Sequence, residues 1–137
     1  MRGRIDGQGQ DRTRRSDWWG VVLDAPDALA LGRFYAALFG WTLDARDPGF
    51  VTLDPGEGVA YLACQTSAGY QPPVWPNEPG QPQMQLHLDV EVSDLATAVL
   101  AAVELGAREA AYQPQDDVRV LLDPAGHPFC LYAAKGD

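Results

Sequence analysis

Two stretches of this chain repeat each other at a nearly fixed interval, and that repetition limits the possible folds more than any other feature. Asp27 opens an apolar-periodic stretch that Gly40 closes, and Asp94 opens another that Gly106 closes. Leu53-Asp54-Pro55 recurs as Leu122-Asp123-Pro124; Val59-Ala60-Tyr61-Leu62 follows the first triplet and Pro128-Phe129-Cys130-Leu131 the second. The aspartates lie 67 residues apart, the glycines 66 and the triplets 69. Three landmarks at almost one spacing describe a tandem duplication. A chain of 137 residues is long enough to bury a core without a disulfide or metal staple, as one domain made of two halves.

Each half reads as strand, helix, then three strands. Asp27 offers an N-cap oxygen to the unpaired amides of a helix. Leu31, Phe34, Tyr35 and Leu38 then fall on one helical face, and Gly40 supplies a left-handed residue to end it. A strand is expected over residues 18–24, with short strands at 41–44, 50–54 and 59–65 between Asp/Pro/Gly turns. In the second half a strand over 85–92 precedes a helix over 94–105, which carries Leu95, Ala98, Val99 and Ala102 on one face. Strands are expected at 107–112, 118–122 and 129–133. Between the halves, residues 66–83 hold Pro72, Pro73, Pro76, Pro79 and Pro82. That density of proline forbids a helix or a central strand and favours an extended crossover. Trp75 sits in the middle of it, expected to pack on the body or over the mouth of a cavity.

Charge separates the ends of the chain. Residues 1–17 carry Arg2, Arg4, Arg12, Arg14 and Arg15 against Asp6, Asp11 and Asp17, a net of +2. The remainder holds five basic and sixteen acidic residues, a net of −11. So acidic a body repels phosphate backbones, which argues against nucleic-acid binding. The Gly- and Gln-rich leader reads as a flexible tail, the alternative being an arm that touches nucleic acid. No apolar run is long enough to span a membrane, and no secretory signal opens the chain, so a soluble, cytoplasmic protein is expected. Cys64 and Cys130 lack CxxC spacing, which argues against a zinc ribbon, a redox motif or a disulfide scaffold.

A doubled βαβββ unit with a Pro-rich crossover resembles the vicinal oxygen chelate superfamily, also called the glyoxalase/bleomycin resistance protein/dioxygenase superfamily. The residues that carry the resemblance are Asp27, Phe34-Tyr35 and Leu38-Phe39-Gly40-Trp41 in the first half. In the second they are His87-Leu88-Asp89-Val90-Glu91-Val92-Ser93-Asp94, Leu105-Gly106-Ala107 and Asp123-Pro124-Ala125-Gly126-His127-Pro128-Phe129-Cys130. The His87–Asp94 run and the Phe129-Cys130-Leu131 ending look most like the glyoxalase-like domain branch. The resemblance implies an α+β fold: tandem βαβββ modules whose curved mixed sheets surround a central cleft. It places a domain over 18–134, with module one at 18–65, the crossover at 66–83 and module two at 84–134. It also implies a homodimer.

Enzymes of the superfamily hold a divalent ion with side chains from both modules, one on each first strand and one on each last strand. Carried onto this chain, those positions fall on His87 and Cys130 in the second half. The duplication offsets place their counterparts at Gly20 and Tyr61. Glycine ligates nothing, a phenol is a poor ligand, and one imidazole with one thiol falls short of the three protein ligands usual at a catalytic metal. No cofactor is therefore expected, a divalent metal being the alternative, with Asp89 available as a substitute ligand on the same face as His87. The expected function is binding of a small organic molecule in the inter-module cleft without a full metal site. The alternative is a metal-dependent lyase, isomerase or dioxygenase with His87 as ligand or general base.

Strand alternation says which side chains share that site. His87, Asp89 and Glu91 face one way, while Leu86, Leu88, Val90 and Val92 face the helix. Cys130 and Tyr132 take the cleft side of the last strand, and Trp18, Gly20 and Val22 align on the first. The expected ligand-binding set is Trp18, Tyr61, Trp75, His87, Asp89, Cys130 and Tyr132, an aromatic wall with a few polar handles. His87 is either a general base or a hydrogen-bonded structural histidine. Cys130 reads as a small buried thiol, because nearby carboxylates oppose a reactive thiolate. Cys64 faces the helix side, so no bridge joins it to Cys130. His127, in a turn, is expected to be exposed, and Asp54 and Asp123 are expected to form turns.

Overall fold

The computed structural model describes residues 18–134; the leader at 1–17 lies outside them. The chain divides into two units after Tyr70, inside the Pro-rich segment. Unit one contains β1 (Trp19–Ala25), α1 (Ala28–Phe39), β2 (Thr42–Asp44), β3 (Phe50–Asp54) and β4 (Ala60–Thr66). Unit two contains β5 (Leu88–Val92), α2 (Leu95–Leu105), β6 (Arg108–Glu109), β7 (Val118–Leu122) and β8 (Pro128–Ala133). Each unit is a four-stranded mixed sheet, ordered β1-β4-β3-β2 and β5-β8-β7-β6. In both, the first strand pairs in parallel with the last, and every other pairing is antiparallel. The expected α+β architecture of repeated βαβββ units is present. Among the described residues no helix is long and apolar enough to cross a membrane.

Both helices begin and end where the repeated landmarks stand. Asp27 is extended, and its carboxylate accepts a hydrogen bond from the Ala30 amide at 3.0 Å. The Thr66 hydroxyl accepts another from the Ala28 amide, so the last strand of the unit also caps its helix. Gly40 ends α1 in the left-handed region, at φ 68°. Asp94 accepts from the Thr97 amide at 2.7 Å, and these bonds hold its carboxyl below the ordinary value. Leu31, Phe34 and Tyr35 of α1 are buried with Leu23, Val51, Leu53, Leu62 and Cys64 of the sheet. In unit two, Val99 and Ala102 are buried with Leu121, Phe129 and Leu131. Burial of each large side chain contributes about 1.5–3 kcal/mol. The outer face of α2 remains apolar and exposed at Leu100 and Val103.

Two strands are shorter than expected, for identifiable reasons. Residues 107–112 read as a strand, but only Arg108–Glu109 pairs with β7. Beyond it the Ala110 amide still donates to the Val120 carbonyl at 3.0 Å, and the Gln113 side-chain amide joins it, donating to that carbonyl and accepting from the Val120 amide, both at 2.9 Å. It satisfies one residue of β7 as a neighbouring strand would. Residues 85–92 read as a strand, but pairing starts at Leu88, opposite Phe129. The next register position falls on Pro128, which has no N–H to donate. Residues 66–83 form no helix; Val74 bridges to Gln83, and its amide donates to the Pro82 carbonyl at 2.8 Å.

The turn into β8 differs from expectation. His127 is not exposed: its side chain retains 17% of its accessibility, and Nδ1 lies 2.8 Å from Asp123 Oδ2. Asp123 is itself only 1% exposed, and its Oδ1 accepts from the Ala125 and His127 amides. The turn-forming aspartate therefore also anchors the histidine. Asp123→Ala leaves both amides and the imidazole without their acceptor, and should lower unfolding free energy by about 3 kcal/mol in urea titration. Asp123→Asn, which keeps an acceptor oxygen, should cost less.

Gly32 sets how closely α1 lies over its sheet. A Cβ there would stand 2.5 Å from Cγ2 of buried Val51 and 3.2 Å from Cδ1 of Leu43. Gly→Ala in a helix ordinarily stabilises by about 1 kcal/mol. Gly32→Ala should instead destabilise, by about 1–3 kcal/mol from overpacking, as a lowered midpoint in thermal unfolding.

Candidate functional site

Register decides which side chains share a face in unit two. Asp89 lies directly across from Cys130, and Glu91 across from Tyr132. Alternation places His87, two residues before Asp89, on the same side of the sheet. His87 and Asp89 are exposed, while Cys130 is only 4% exposed beside buried Val120, its partner on β7. One ligating atom from each of His87, Asp89 and Cys130 lies within 4.8 Å of the other two. The three polar residues that alternation puts on one face thus form one cluster.

Trp75 packs against the His87 end of that cluster. Its indole stacks on the His87 imidazole, with ring centroids 5.4 Å apart and planes at 20°. The ring of Tyr112 meets the indole edge-on at 5.5 Å. Stacking uses a face of the imidazole and leaves both nitrogens at the ring edge. Trp75 thus packs on the body of its own unit, against His87 and Tyr112.

The electrostatics of the face are acidic. Burial pushes the Cys130 thiol up, and Asp89 pushes it further by opposing a second negative charge. The Tyr132 phenol is raised by burial, then by Glu91 and Asp89, with a hydrogen bond to Glu91 adding to the effect. A thiol so held is a poor nucleophile at neutral pH. Both cysteines are buried, and neither is in a disulfide.

In unit one the corresponding strands carry different chemistry. Gly20 pairs directly with Tyr61 across β1 and β4. A Cβ on Gly20 would stand 2.5–2.7 Å from Cε2, Cζ and Cδ2 of Tyr61, so the phenol ring occupies the space a side chain would need. Trp18 and Tyr61 line a hollow of about 410 Å³ with Arg46, Thr52, Leu53 and Asp54. Arg46 is held by Asp44 through Nε contacts of 3.0 and 2.9 Å, and this pairing keeps the Asp44 carboxyl below its ordinary value.

The anticipated site residues therefore fall into two groups, each inside one unit: Trp18 and Tyr61, and Trp75, His87, Asp89, Cys130 and Tyr132. The sequence reading omitted Arg46 and Tyr112. Tyr112 stands at the end of 107–112, a stretch that reads as strand but pairs only at Arg108–Glu109. The duplication offsets match Gly20 with His87 and Tyr61 with Cys130, yet Cys130 pairs with Asp89. The turn explains the shift: Leu53 pairs with Leu62, nine residues on, whereas Leu122 pairs with Pro128, six on.

Comparison with known proteins agrees with this architecture. The sequence matches the model of the glyoxalase-like domain over residues 20–132. No curated protein matches. Among solved structures, a glyoxalase/bleomycin resistance protein/dioxygenase family enzyme from Burkholderia phytofirmans PsJN is similar at TM-score 0.64 and 22% identity, over 88% of this chain and all of that one. The fosfomycin resistance protein FosX from Mesorhizobium loti gives 0.61 at 11% identity, over 88% of this chain and 94% of its own. TnmS3, an antibiotic binding protein from Streptomyces sp. CB03234, gives 0.54 at 19%, over 89% and 98%. At these identities the structures establish the shared fold. With the family match covering most of the sequence, the chain belongs to the glyoxalase-like domain family, within the vicinal oxygen chelate superfamily.

Proposed function

We propose that this protein binds a small organic molecule with a flat, apolar portion and hydrogen-bond donors, and that the ligand is neutral or cationic. The observation that carries this reading is the Trp75–His87 stack standing beside the sheet face that holds Asp89 and Cys130. An aromatic wall of Trp75 and Tyr112 supplies area and stacking at low entropic cost. His87 and Asp89 provide the oriented polar contacts that set the pose. In unit one, Trp18 and Tyr61 present a second aromatic lining, with Arg46 and Asp54 at the same hollow. The carboxylates of Asp89 and Glu91 make the unit-two face unfavourable to phosphates and carboxylates. TnmS3, described as an antibiotic binding protein, supports the reading at the level of fold.

A second reading, metal-assisted lyase, isomerase or dioxygenase chemistry, is favoured by the His87, Asp89 and Cys130 cluster. The four-ligand arrangement of the superfamily does not fit this chain, because Gly20 ligates nothing and the Tyr61 ring fills the adjoining space. His87, Asp89 and Cys130 do fit a divalent ion, and when bound it would supply Lewis acidity toward a substrate oxygen. Within that reading Trp75 orients the His87 ring, and Asp89 and Cys130 complete the ligand set.

A library of neutral, cationic and anionic ring compounds, screened by thermal shift against metal-stripped protein, tests the first reading. Hits should be neutral or cationic, and Trp75→Ala should weaken them by about tenfold or more in calorimetry, the equivalent of about 1.4 kcal/mol. Hits confined to anions, or affinities that survive both Trp75→Ala and His87→Ala, would refute it. For the second reading, His87→Ala should abolish turnover of any substrate found while circular dichroism stays unchanged; retained turnover removes His87 from the chemistry.

A further inference from the structure

We infer that the outer face of α2 is a self-docking surface, on which a second copy of this chain packs its own α2 antiparallel about a twofold axis near Leu100. This goes beyond the small-molecule reading, since no ligand takes part in it.

The face is apolar without serving the core. Residues three and four apart share a side of a helix, and Ala96, Leu100 and Val103 form such a row. All three are exposed, Leu100 keeping 67% of its accessibility and Val103 42%. The opposite side of α2, where Val99 and Ala102 are buried, is the one that meets the sheet. The duplicated helix supplies an internal comparison. At the aspartate offset of 67, Leu100 stands where α1 has exposed Arg33, and among the described residues no large apolar side chain of α1 is exposed. Folding of the unit therefore asks for no leucine at this position, and an outward apolar row marks a contact surface.

Charge and shape select the occupant. The chain carries a net charge of −9, which sets two copies against each other over most of their surfaces. In α2, however, Glu104 is the sole charged residue. An antiparallel pair with its axis near Leu100 holds the two Glu104 residues about 12 Å apart along the helices, beyond the screening length of about 8 Å. A parallel pair would set them side by side. Glu104 lies in the last turn of its own helix, where the dipole opposes it, and comes instead beside the partner's first turn, which holds no acidic residue. The capping Asp94 stands further out and is engaged by the Thr97 amide. Ala96 of one helix then meets Val103 of the other, small against large, as close helix packing requires. Neither lysine nor arginine stands in α2, so the face lacks the basic rim of a helix that lies on a membrane. Two helix faces cover less than the roughly 800 Å² per partner of a standard interface, so the association is weak, with a dissociation constant on the order of 100 μM.

Sedimentation equilibrium of the full-length protein, from about 5 μM to about 1 mM, provides the test. The wild-type chain should show a monomer–dimer equilibrium. Leu100→Glu should weaken it by about tenfold or more, because each dimer loses two apolar contacts and gains two facing carboxylates. Circular dichroism of that variant should match the wild type, since Leu100 lies outside the core. Ala37→Glu makes the same change of charge on the exposed side of α1 and should leave the constant within about twofold. Under mild oxidation Leu100→Cys should yield a disulfide-linked dimer and Glu104→Cys should not, its Cα atoms standing beyond the separation of about 7 Å that a bridge allows. A wild-type protein that stays monomeric at the highest concentration overturns the inference. So does a dimer that folded Leu100→Glu leaves intact, or one that Glu104→Cys links as readily as Leu100→Cys. Because no organic compound enters these measurements, their failure leaves the small-molecule reading standing, and failure of the ligand screen leaves the self-docking surface standing.

Discussion

The parallel pairing of first and last strand in each unit is the constraint on which everything else rests. Parallel neighbours need a crossover, and here the helix plus two antiparallel strands make it. In unit two the pairing fixes Asp89 against Cys130 and Glu91 against Tyr132. A slip of one residue would turn Cys130 to the other face and bring Phe129 or Leu131, both buried, out of the core. The hydrophobic pattern thus enforces the register, and the register assembles the polar cluster. The Asp123–His127 pair reinforces it from the turn, holding the start of β8 by four hydrogen-bonding contacts, one of them the Asp123 amide to the His127 carbonyl.

Local physics made much of this legible. Asp27, Gly40, Asp94 and Gly106 are caps whose roles depend on a few neighbouring backbone groups, so a single sequence suffices to place them. Alternation put His87, Asp89, Cys130 and Tyr132 on one face for the same reason. What escaped depends on distant partners. Trp75 reaches His87 from a proline-rich segment whose path no periodicity describes. Gln113 ends a strand by imitating a peptide group, which its composition does not announce. His127 is drawn inward by a carboxylate that reads as an ordinary turn residue. Counting offsets between the halves failed at the turn into β8, where three fewer residues change which side chains face each other.

Acidity narrows what the face in unit two can do. Burial first, and then Asp89 and Glu91, raise Cys130 and Tyr132, so both stay protonated at neutral pH. That opposes nucleophilic use of the thiol and rewards any cation arriving near it. An organic cation and a divalent metal ion satisfy the same field by different means. In the proposed reading an organic cation would meet it at a distance through Asp89 and Glu91 and would gain its affinity from Trp75 and Tyr112. A metal ion must displace the thiol proton and hold imidazole, carboxylate and sulfur together.

The two units show how one fold separates these possibilities. In unit one the first strand has Gly20 where a ligand would stand, and Tyr61 lies across it, leaving an aromatic hollow without a ligating pair. In unit two the corresponding strand carries Asp89, with His87 just before it, and the last strand carries a buried sulfur. A duplicated unit need keep only its hydrophobic alternation and caps to fold; the side chains on the opposite sheet face are free to diverge. Because most of the large core side chains lie on the helix-facing side, the chemistry of each unit follows from which polar residues its register brings together on the other face rather than from the fold they share.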